Sequence, residues 1–540
     1  MGGFRSHTRA EQQKRAQRES QREARGDRGF DRRDERRDDR RGGFNRRDDR
    51  RDGRRDNRRD DRRDNRRGDR GFDRRDERKT DRGDIKWGGR DGARQAAVAT
   101  IHAVHTDDAY ANLLLPKLLR RFHVSGKGAA FATEMTYGAL RSLGILDAAI
   151  VSVCGREIAD IEPDVRAILE LGFYQVLFMN TETYAAVNTT VDLAPRQTVR
   201  GFINGVMRGL GRALDEAKSV EAFLEDIAPK EEPARTAFLH AHPEWIARSF
   251  AAALGEDPDG TSAELNAALE ADSARPSLHL VARPGEITNE ELAMSCGGDI
   301  ATYSPYGVYL TSGVPGDVEA LRDGIAAVQD EGSQIIARAV VEAPILGADK
   351  GNWLDLCAGP GGKAALIGAL AAIDGAELTA MELAPHRADL VRSSTKGLPV
   401  KVRVGDGTHP GLPEAHYDRI LVDAPCSGLG SLRRRPEARW RKTEADIEQL
   451  NELQLALAES AVKLLRPGGV LVYSTCSPDL RESRGVVDEL LKAHPEITEL
   501  DASELACGME NTGPYKSVTM WPHRHGTDAM FFAVLQKGVD

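Results

Sequence analysis

Cysteine is scarce in this chain: six residues in 540, at Cys154, Cys296, Cys357, Cys426, Cys476 and Cys507, with no CxxC pair among them. That density excludes a disulfide scaffold and offers no zinc ligand set, so the thiols are read as reduced and no metal is assigned. Long apolar runs are missing too. No stretch approaches the roughly eighteen residues that a spanning helix needs, and the opening MGGFRSHTRAEQQKRAQRES lacks the apolar centre of a secretory signal. The expectation is a cytoplasmic protein with no membrane partner.

What is present is charge, unevenly placed. Positions 1–90 hold about 34 Lys+Arg against about 22 Asp+Glu, so the net −9 hides a segment of about +12 on a body of about −21. These positions are Arg, Asp, Gly and Asn with almost nothing to bury. Ordering them would cost backbone entropy without apolar gain, which predicts a disordered tail over 1–90. GDRGFDRRDER occurs at 26–36 and again at 68–78, a duplicated low-complexity unit. Arginine forks with Phe30, Phe44 and Phe72 could contact phosphates and stack on bases, while the interleaved aspartates screen that attraction. An RNA-binding arm and a solvated polyampholyte both stand open.

From position 91 apolar residues recur at helical spacing, as in Ala97, Ile101, Val104 and then Leu114, Leu118, Phe122. Strand signals are scarce, so 91–225 predicts a compact all-α domain. The stretch 226–320, with IAPKEEPART and GEDPDGTSAE, is rich in turn formers and predicts a linker or small bridging domain.

Over 321–540 strands and helices alternate, which predicts an α/β domain with a mostly parallel sheet covered on both faces. GNWLDLCAGPGGKAALIGALAAI reads strand, glycine-rich loop, helix. It is neither GxGxxG nor a phosphate loop ending in Lys-Ser/Thr, so neither a dinucleotide nor ATP is the first expectation. AELTAMEL then ends in Glu382, VKVRVGDG delivers Asp406, and RILVD delivers Asp423. A glycine loop and three carboxylates at successive strand ends predict a nucleoside cofactor at the carboxyl edge of an open sheet. Two cysteines also follow apolar strands, in RILVDAPCSGLGS and GGVLVYSTCSPD.

CAGPGGK, DAPCSGLGS, RRRPEARW, YSTCSP and WPHRHGTDAMFFAVL resemble the signature blocks of the Sun-type (NOP/Sun, RsmB-like) RNA cytosine-5 methyltransferases. VQDEGSQIIARAV resembles the segment before their cofactor loop, and the helical region ending in GFINGVMRGL is similar to the NusB-like domain of bacterial members that modify small-subunit ribosomal RNA. The resemblance covers about residues 92–225 and 320–537. It implies a Rossmann-like methyltransferase domain using S-adenosylmethionine, preceded by an all-α NusB-like RNA-binding domain. The implied reaction is methyl transfer to carbon 5 of a cytosine in RNA, small-subunit ribosomal RNA first.

Carbon 5 is a poor nucleophile until a thiolate adds to carbon 6 of the ring. By spacing alone either loop could present that thiolate. The resemblance assigns attack to Cys476 and product release to Cys426, whereas DNA cytosine methyltransferases attack from a Pro-Cys loop. Asp423 is expected to donate to, or hydrogen-bond, ring nitrogen 3. Carried over position by position, Cys357, Ala358, Gly359, Pro360, Gly361, Gly362 and Lys363 surround the methionine moiety. Glu382 serves the ribose, Asp406 the adenine, Asp423 the active-site edge, and Arg387 contributes from the next helix. The commonest loop has Ala at Gly359 and Thr at Ala364, and the family's Glu-Asn pair falls loosely on Glu482 and Ser483.

The target base must be flipped or single-stranded for a thiolate to reach it. SLRRRPEARWRK, at 431–442, puts six basic residues and Trp440 just past the Pro-Cys loop, which predicts phosphate contacts and one stacking ring. Cys154, Cys296 and Cys507 are read as buried small apolar residues. Nothing indicates an obligate protein partner, so a monomer is expected. Two alternatives stay open: action on tRNA or DNA, or an antitermination-like RNA-binding protein whose methyltransferase half is silent.

Overall fold

The structure is a computed structural model and describes residues 85–539, so most of the predicted tail, 1–84, lies outside the described residues. Asp91 opens the first helix by accepting from the N–H groups of Ala93 and Arg94, satisfying donors that the helix itself cannot. Eight helices follow one another: α1 (Gly92–Thr106), α2 (Ala111–Arg121), α3 (Gly126–Arg141), α4 (Leu143–Cys154), α5 (Pro163–Leu177), α6 (Thr183–Asp192), α7 (Gln197–Ala217) and α8 (Val220–Ile227). Pro163 starts α5, where its missing N–H costs nothing, and the helix is buried on nearly every side. The others pack their apolar faces around it, with Ile101, Met135, Leu146, Ile168 and Met207 in one core.

Residues 226–328 are structured throughout. Helices α9 (Ala234–Leu239), α10 (Glu244–Leu254) and α11 (Ala263–Ser273) bury Ile246, Phe250, Leu265 and Leu269 against Leu429, Leu432, Ile447 and Trp521 of the following domain. A small antiparallel sheet then runs in the order β2-β3-β1-β4, from β1 (Leu278–Ala282), β2 (Asp299–Ile300), β3 (Gly307–Leu310) and β4 (Ala326–Val328). Helices α12 (Asn289–Cys296) and α13 (Glu319–Arg322) complete it. Its last strand runs past position 320, and its strands are too short and too interrupted by turns for alternation to reveal them.

The remaining chain builds an eight-stranded sheet. Its elements are α14 (Glu331–Glu342), β5 (Asn352–Asp355), α15 (Gly362–Asp374), β6 (Glu377–Glu382), α16 (Pro385–Ser394), β7 (Val400–Val404), β8 (Tyr417–Asp423), α17 (Glu444–Leu464), β9 (Leu465–Thr475), α18 (Arg484–Ala493), β10 (Ile497–Leu500), β11 (Val518–Thr519), α19 (Pro522–His525) and β12 (Phe531–Lys537). The strand order is β10-β12-β9-β8-β5-β6-β7, with β11 beside β12. Neighbours from β9 to β7 are parallel, and β12 runs antiparallel to β9 and β10. Ile335, Leu366 and Ile367 pack in the core on one face, Leu457, Val487 and Leu490 in the core on the other. The chain runs from β5 outward to β7 and then returns to β8 on the other side of β5. That reversal opens a crevice at the carboxyl ends of β5 and β8, where ligands of open α/β sheets bind.

The arginine-rich stretch 431–442 does something other than the sequence suggested. Arg433 and Arg434 pair with Asp528, and Arg434 also reaches Asp330 at 2.7 Å. Arg439 is fully buried: its Nη2 donates to Asp272 Oδ2 at 2.7 Å, and its Nη1 donates to the carbonyl of Ala241 at 2.9 Å. Arg441 donates to the carbonyls of Val104 and Ala109 in the helical domain. The Trp440 ring lies over Gly144, where a Cβ would stand 2.2 Å from Cη2. These side chains fasten the helical domain, the α9–α11 segment and the sheet domain together. The expected phosphate contacts and stacking ring are thus overturned for Arg433, Arg434, Arg439, Trp440 and Arg441. Arg435 stays exposed.

Candidate active site

Five strand ends supply the site. Beyond β5, the loop Cys357–Gly361 turns into α15; Ala358 N donates to Met381 O at 2.8 Å, and Gly361 takes φ +112°, a conformation other residues adopt only with strain. Gly359 N donates to Glu382 Oε2 at 3.1 Å at the end of β6. A Cβ on Gly359 would stand 2.1 Å from that oxygen, so the alanine common in the resembled family does not fit this arrangement unless Glu382 moves. Arg387 of α16 stands beside Glu382 and donates from Nη2 to Gly359 O at 2.7 Å. Lys363 Nζ donates to Asp423 Oδ2 at 2.8 Å, spanning the crevice between β5 and β8, and Ser474 Oγ donates to the other oxygen of Asp423 at 2.9 Å.

The two cysteines come together because of strand register. Asp423 of β8 lies opposite Ser474 of β9, so Cys426 and Cys476 follow this paired position by three and two residues on neighbouring strands. Their sulfurs are 3.2 Å apart. Glu482 is wholly buried and locks the two loops: it accepts from Ser427 N at 2.7 Å, from Ser427 Oγ, and from Gln454 Nε2 at 3.1 Å. Ser483 turns its hydroxyl back to the carbonyl of Asp479 at 2.7 Å.

The thiols are electrostatically unlike. A hydrogen bond to Cys476, then burial and the carboxylates of Glu482 and Asp423, push the Cys426 thiol well above the usual range. The Cys426 hydrogen bond, with the cations Lys363 and Arg435, draws the Cys476 thiol down against burial and Asp423. Lys363 and Arg435 favour a thiolate on Cys476, while Glu482 and Asp423 disfavour one on Cys426.

Of the residues the sequence singled out, Cys357 to Lys363, Glu382, Arg387, Asp423, Cys426 and Cys476 all lie at this edge. Asp406 follows β7 at the same edge, but it is exposed and its Oδ1 accepts from Thr408 N and Oγ1 in its own turn. Cys154, Cys296 and Cys507 are half-buried rather than buried. Sequence reasoning missed Asp355, the last residue of β5, whose position just before the glycine loop was its one signal. It is 1% exposed and its Oδ2 has no partner within the chain. Burial, then the charge of Asp423, raises its carboxyl to about 7.

This edge fits S-adenosylmethionine. Unpartnered Asp355 Oδ2 suits an ammonium group, and the N-terminus of α15 just past the glycine loop presents free N–H groups to a carboxylate. Among the described residues no single helix is long and apolar enough to cross a membrane.

Residues 345–536 match the family model described as 16S rRNA methyltransferase RsmB/F, and residues 91–212 match the NusB family. A methyltransferase-named protein of Mycobacterium tuberculosis (strain ATCC 25618 / H37Rv) is 49% identical over 455 residues, 83% of this chain and 97% of the relative. Ribosomal RNA small subunit methyltransferase B of Salmonella paratyphi B (strain ATCC BAA-1250 / SPB7) is 31% identical over 414 residues, 74% of this chain and 90% of the relative. The solved structure titled "Crystal Structure of PH0851" shares the fold, with TM-score 0.67 and 23% identity across 83% of this chain and 99% of that one. With its NusB domain, Rossmann-like domain and S-adenosylmethionine cofactor, the chain belongs to the RsmB/F family of RNA methyltransferases.

Proposed function

We propose that the chain methylates carbon 5 of a cytosine in small-subunit ribosomal RNA through a covalent bond from Cys476 to carbon 6, with Cys426 serving product release. The observation that carries this reading is the 3.2 Å contact of two thiols with unlike surroundings. A thiolate is the nucleophile and a thiol is not, so the sulfur that sheds its proton more readily is the attacking one.

The Cys476 sulfur gives its electron pair to carbon 6, the 5,6 π pair moves to join carbons 5 and 4, and nitrogen 3 takes up negative charge. The Lys363–Asp423 pair holds a proton that it can deliver to nitrogen 3. When bound, S-adenosylmethionine supplies an electrophilic methyl group for carbon 5. Nitrogen 3 returns its proton to the Lys363–Asp423 pair as carbon 5 gains the methyl, water takes the carbon 5 proton, its bonding pair restores the 5,6 double bond, and the C6–S bond breaks with its pair returning to Cys476. The Cys426 S–H donates to that leaving sulfur.

The loop Cys357–Lys363 and Asp355 hold the methionine moiety, Glu382 the ribose and Asp406 the adenine, with Arg387 buttressing Glu382 and Asp423 at the reacting edge. Arg435 is exposed, makes no ion pair among the described residues, and lies close enough to influence Cys476, which supports it as a phosphate contact for the flipped nucleotide. Bisulfite sequencing of total RNA from a deletion strain tests the reading. One methylcytosine missing from small-subunit ribosomal RNA is the expected result, and an unchanged methylcytosine pattern would sink it.

A further inference from the structure

Gln329 follows β4 at the edge of the small antiparallel sheet, and its backbone is fully used: its N–H donates to His279 O at 3.0 Å and its carbonyl accepts from Gln334 Nε2 at 3.0 Å. Its side chain is not. The residue is 8% exposed, and both polar atoms of its carboxamide, Oε1 and Nε2, are buried without a partner within the chain. Among the described residues no other buried carboxamide or carboxylate leaves both polar atoms unmet. A carboxamide hidden from water without partners is costly, so a group that arrives later is the economical explanation.

The place identifies the group. A Cβ built on Gly362 would stand 3.6 Å from Gln329 Nε2 and 3.7 Å from its side-chain carbonyl carbon. Gly362 is the first residue of the thirteen-residue helix α15. The unpartnered carboxamide therefore borders the helix N-terminus that closes the glycine loop, where free N–H groups favour an anion. A carboxamide offers one donor face and one acceptor face. The amino-acid head of S-adenosylmethionine asks for both, since it carries a carboxylate and an ammonium on one carbon.

We propose that Gln329 is a cofactor-binding residue whose carboxamide engages the amino-acid head of S-adenosylmethionine, Nε2–H toward the carboxylate and Oε1 toward the ammonium. The small antiparallel sheet is then part of the cofactor site rather than a spacer between the two flanking domains. This rests on the reading of the carboxyl edge as the cofactor site.

The test is calorimetry on the full chain with two probes, S-adenosylhomocysteine, which carries the amino-acid head, and 5′-methylthioadenosine, which lacks it. Gln329→Met keeps the length of the side chain and breaks no hydrogen bond within the protein. It should weaken S-adenosylhomocysteine about tenfold and leave 5′-methylthioadenosine unchanged. Gln329→Ala, with its shorter side chain, should show the same selectivity. Equal weakening of both probes, or unchanged affinity for both, overturns the proposal while the wild-type affinity leaves the cofactor site standing. So does a variant that binds both probes normally and loses only RNA. Failure of the wild-type chain to bind either probe would overturn the cofactor-site reading itself and Gln329's role with it.

Discussion

Replacing Arg439 by methionine should cost about 3–5 kcal/mol of stability, because it strands a buried carboxylate. Asp272 is 1% exposed and loses its arginine partner, retaining only His242 Nε2 at 3.0 Å as a side-chain partner. The carbonyls of Ala241 and Asp272 lose a donor as well, at 2.9 and 3.1 Å, and each unmet buried acceptor adds about 1–3 kcal/mol before relaxation. Partial relaxation keeps the total near the range for a broken buried pair. Urea unfolding of the full chain, followed by tryptophan fluorescence, reads this directly, since the neighbouring Trp440 packs on Gly144 of the helical domain and reports separation there. Two transitions are expected, and the one carrying the Trp440 signal should move to lower urea. Asp272→Asn combined with Arg439→Met should recover part of the loss, since no unpaired charge then remains. The slope of RNA affinity against salt should not change. A loss under about 1 kcal/mol, together with a salt slope reduced by about one, would mean that Arg439 meets phosphate and would refute the buried clamp.

Cys476→Ser should abolish both methylation and any covalent RNA adduct, while Cys426→Ser should methylate once and stall as a protein–RNA band on a denaturing gel; the reverse pattern would move attack to the Pro-Cys loop. Asp355, raised to about 7, makes affinity for S-adenosylhomocysteine rise with pH from about 6 to about 8, because the ligand's ammonium favours the ionised carboxylate. Asp355→Asn should bind more weakly with a flat profile, and a sloped profile in that variant would assign the titration elsewhere. In the free protein the same shift makes stability fall as pH climbs from about 4 to about 7, where the unfolded chain sheds this proton first. Arg435→Ala should weaken RNA by an amount that shrinks with salt, lowering the salt slope by about one and sparing cofactor binding. A chain lacking residues 1–84 should keep full turnover at saturating RNA, and loss of turnover there would give those residues a catalytic part.

The strand–loop–helix at 351–373, the acids at strand ends and the two cysteine loops were legible because each is a local pattern. Glycine spacing, β-branched runs and helical periodicity speak over ten or twenty residues, which is also the reach of the backbone hydrogen bonds that build these elements. The run SLRRRPEARWRK misled for the complementary reason. A guanidinium reads as solvated until its acid is known, and Asp272 lies 167 residues from Arg439 while Asp528 lies 95 from Arg433. The same distance hid the partnerless carboxamide of Gln329 and the orphaned oxygen of Asp355, since having no partner is a property of the packed interior and not of a residue type. Nor could spacing choose between the thiols. Only the parallel pairing of β8 with β9 set Cys426 and Cys476 3.2 Å apart, and the charges that set the two thiols apart come from Lys363 on α15, Asp423 on β8, and Arg435 and Glu482 in loops, which no local pattern brings together.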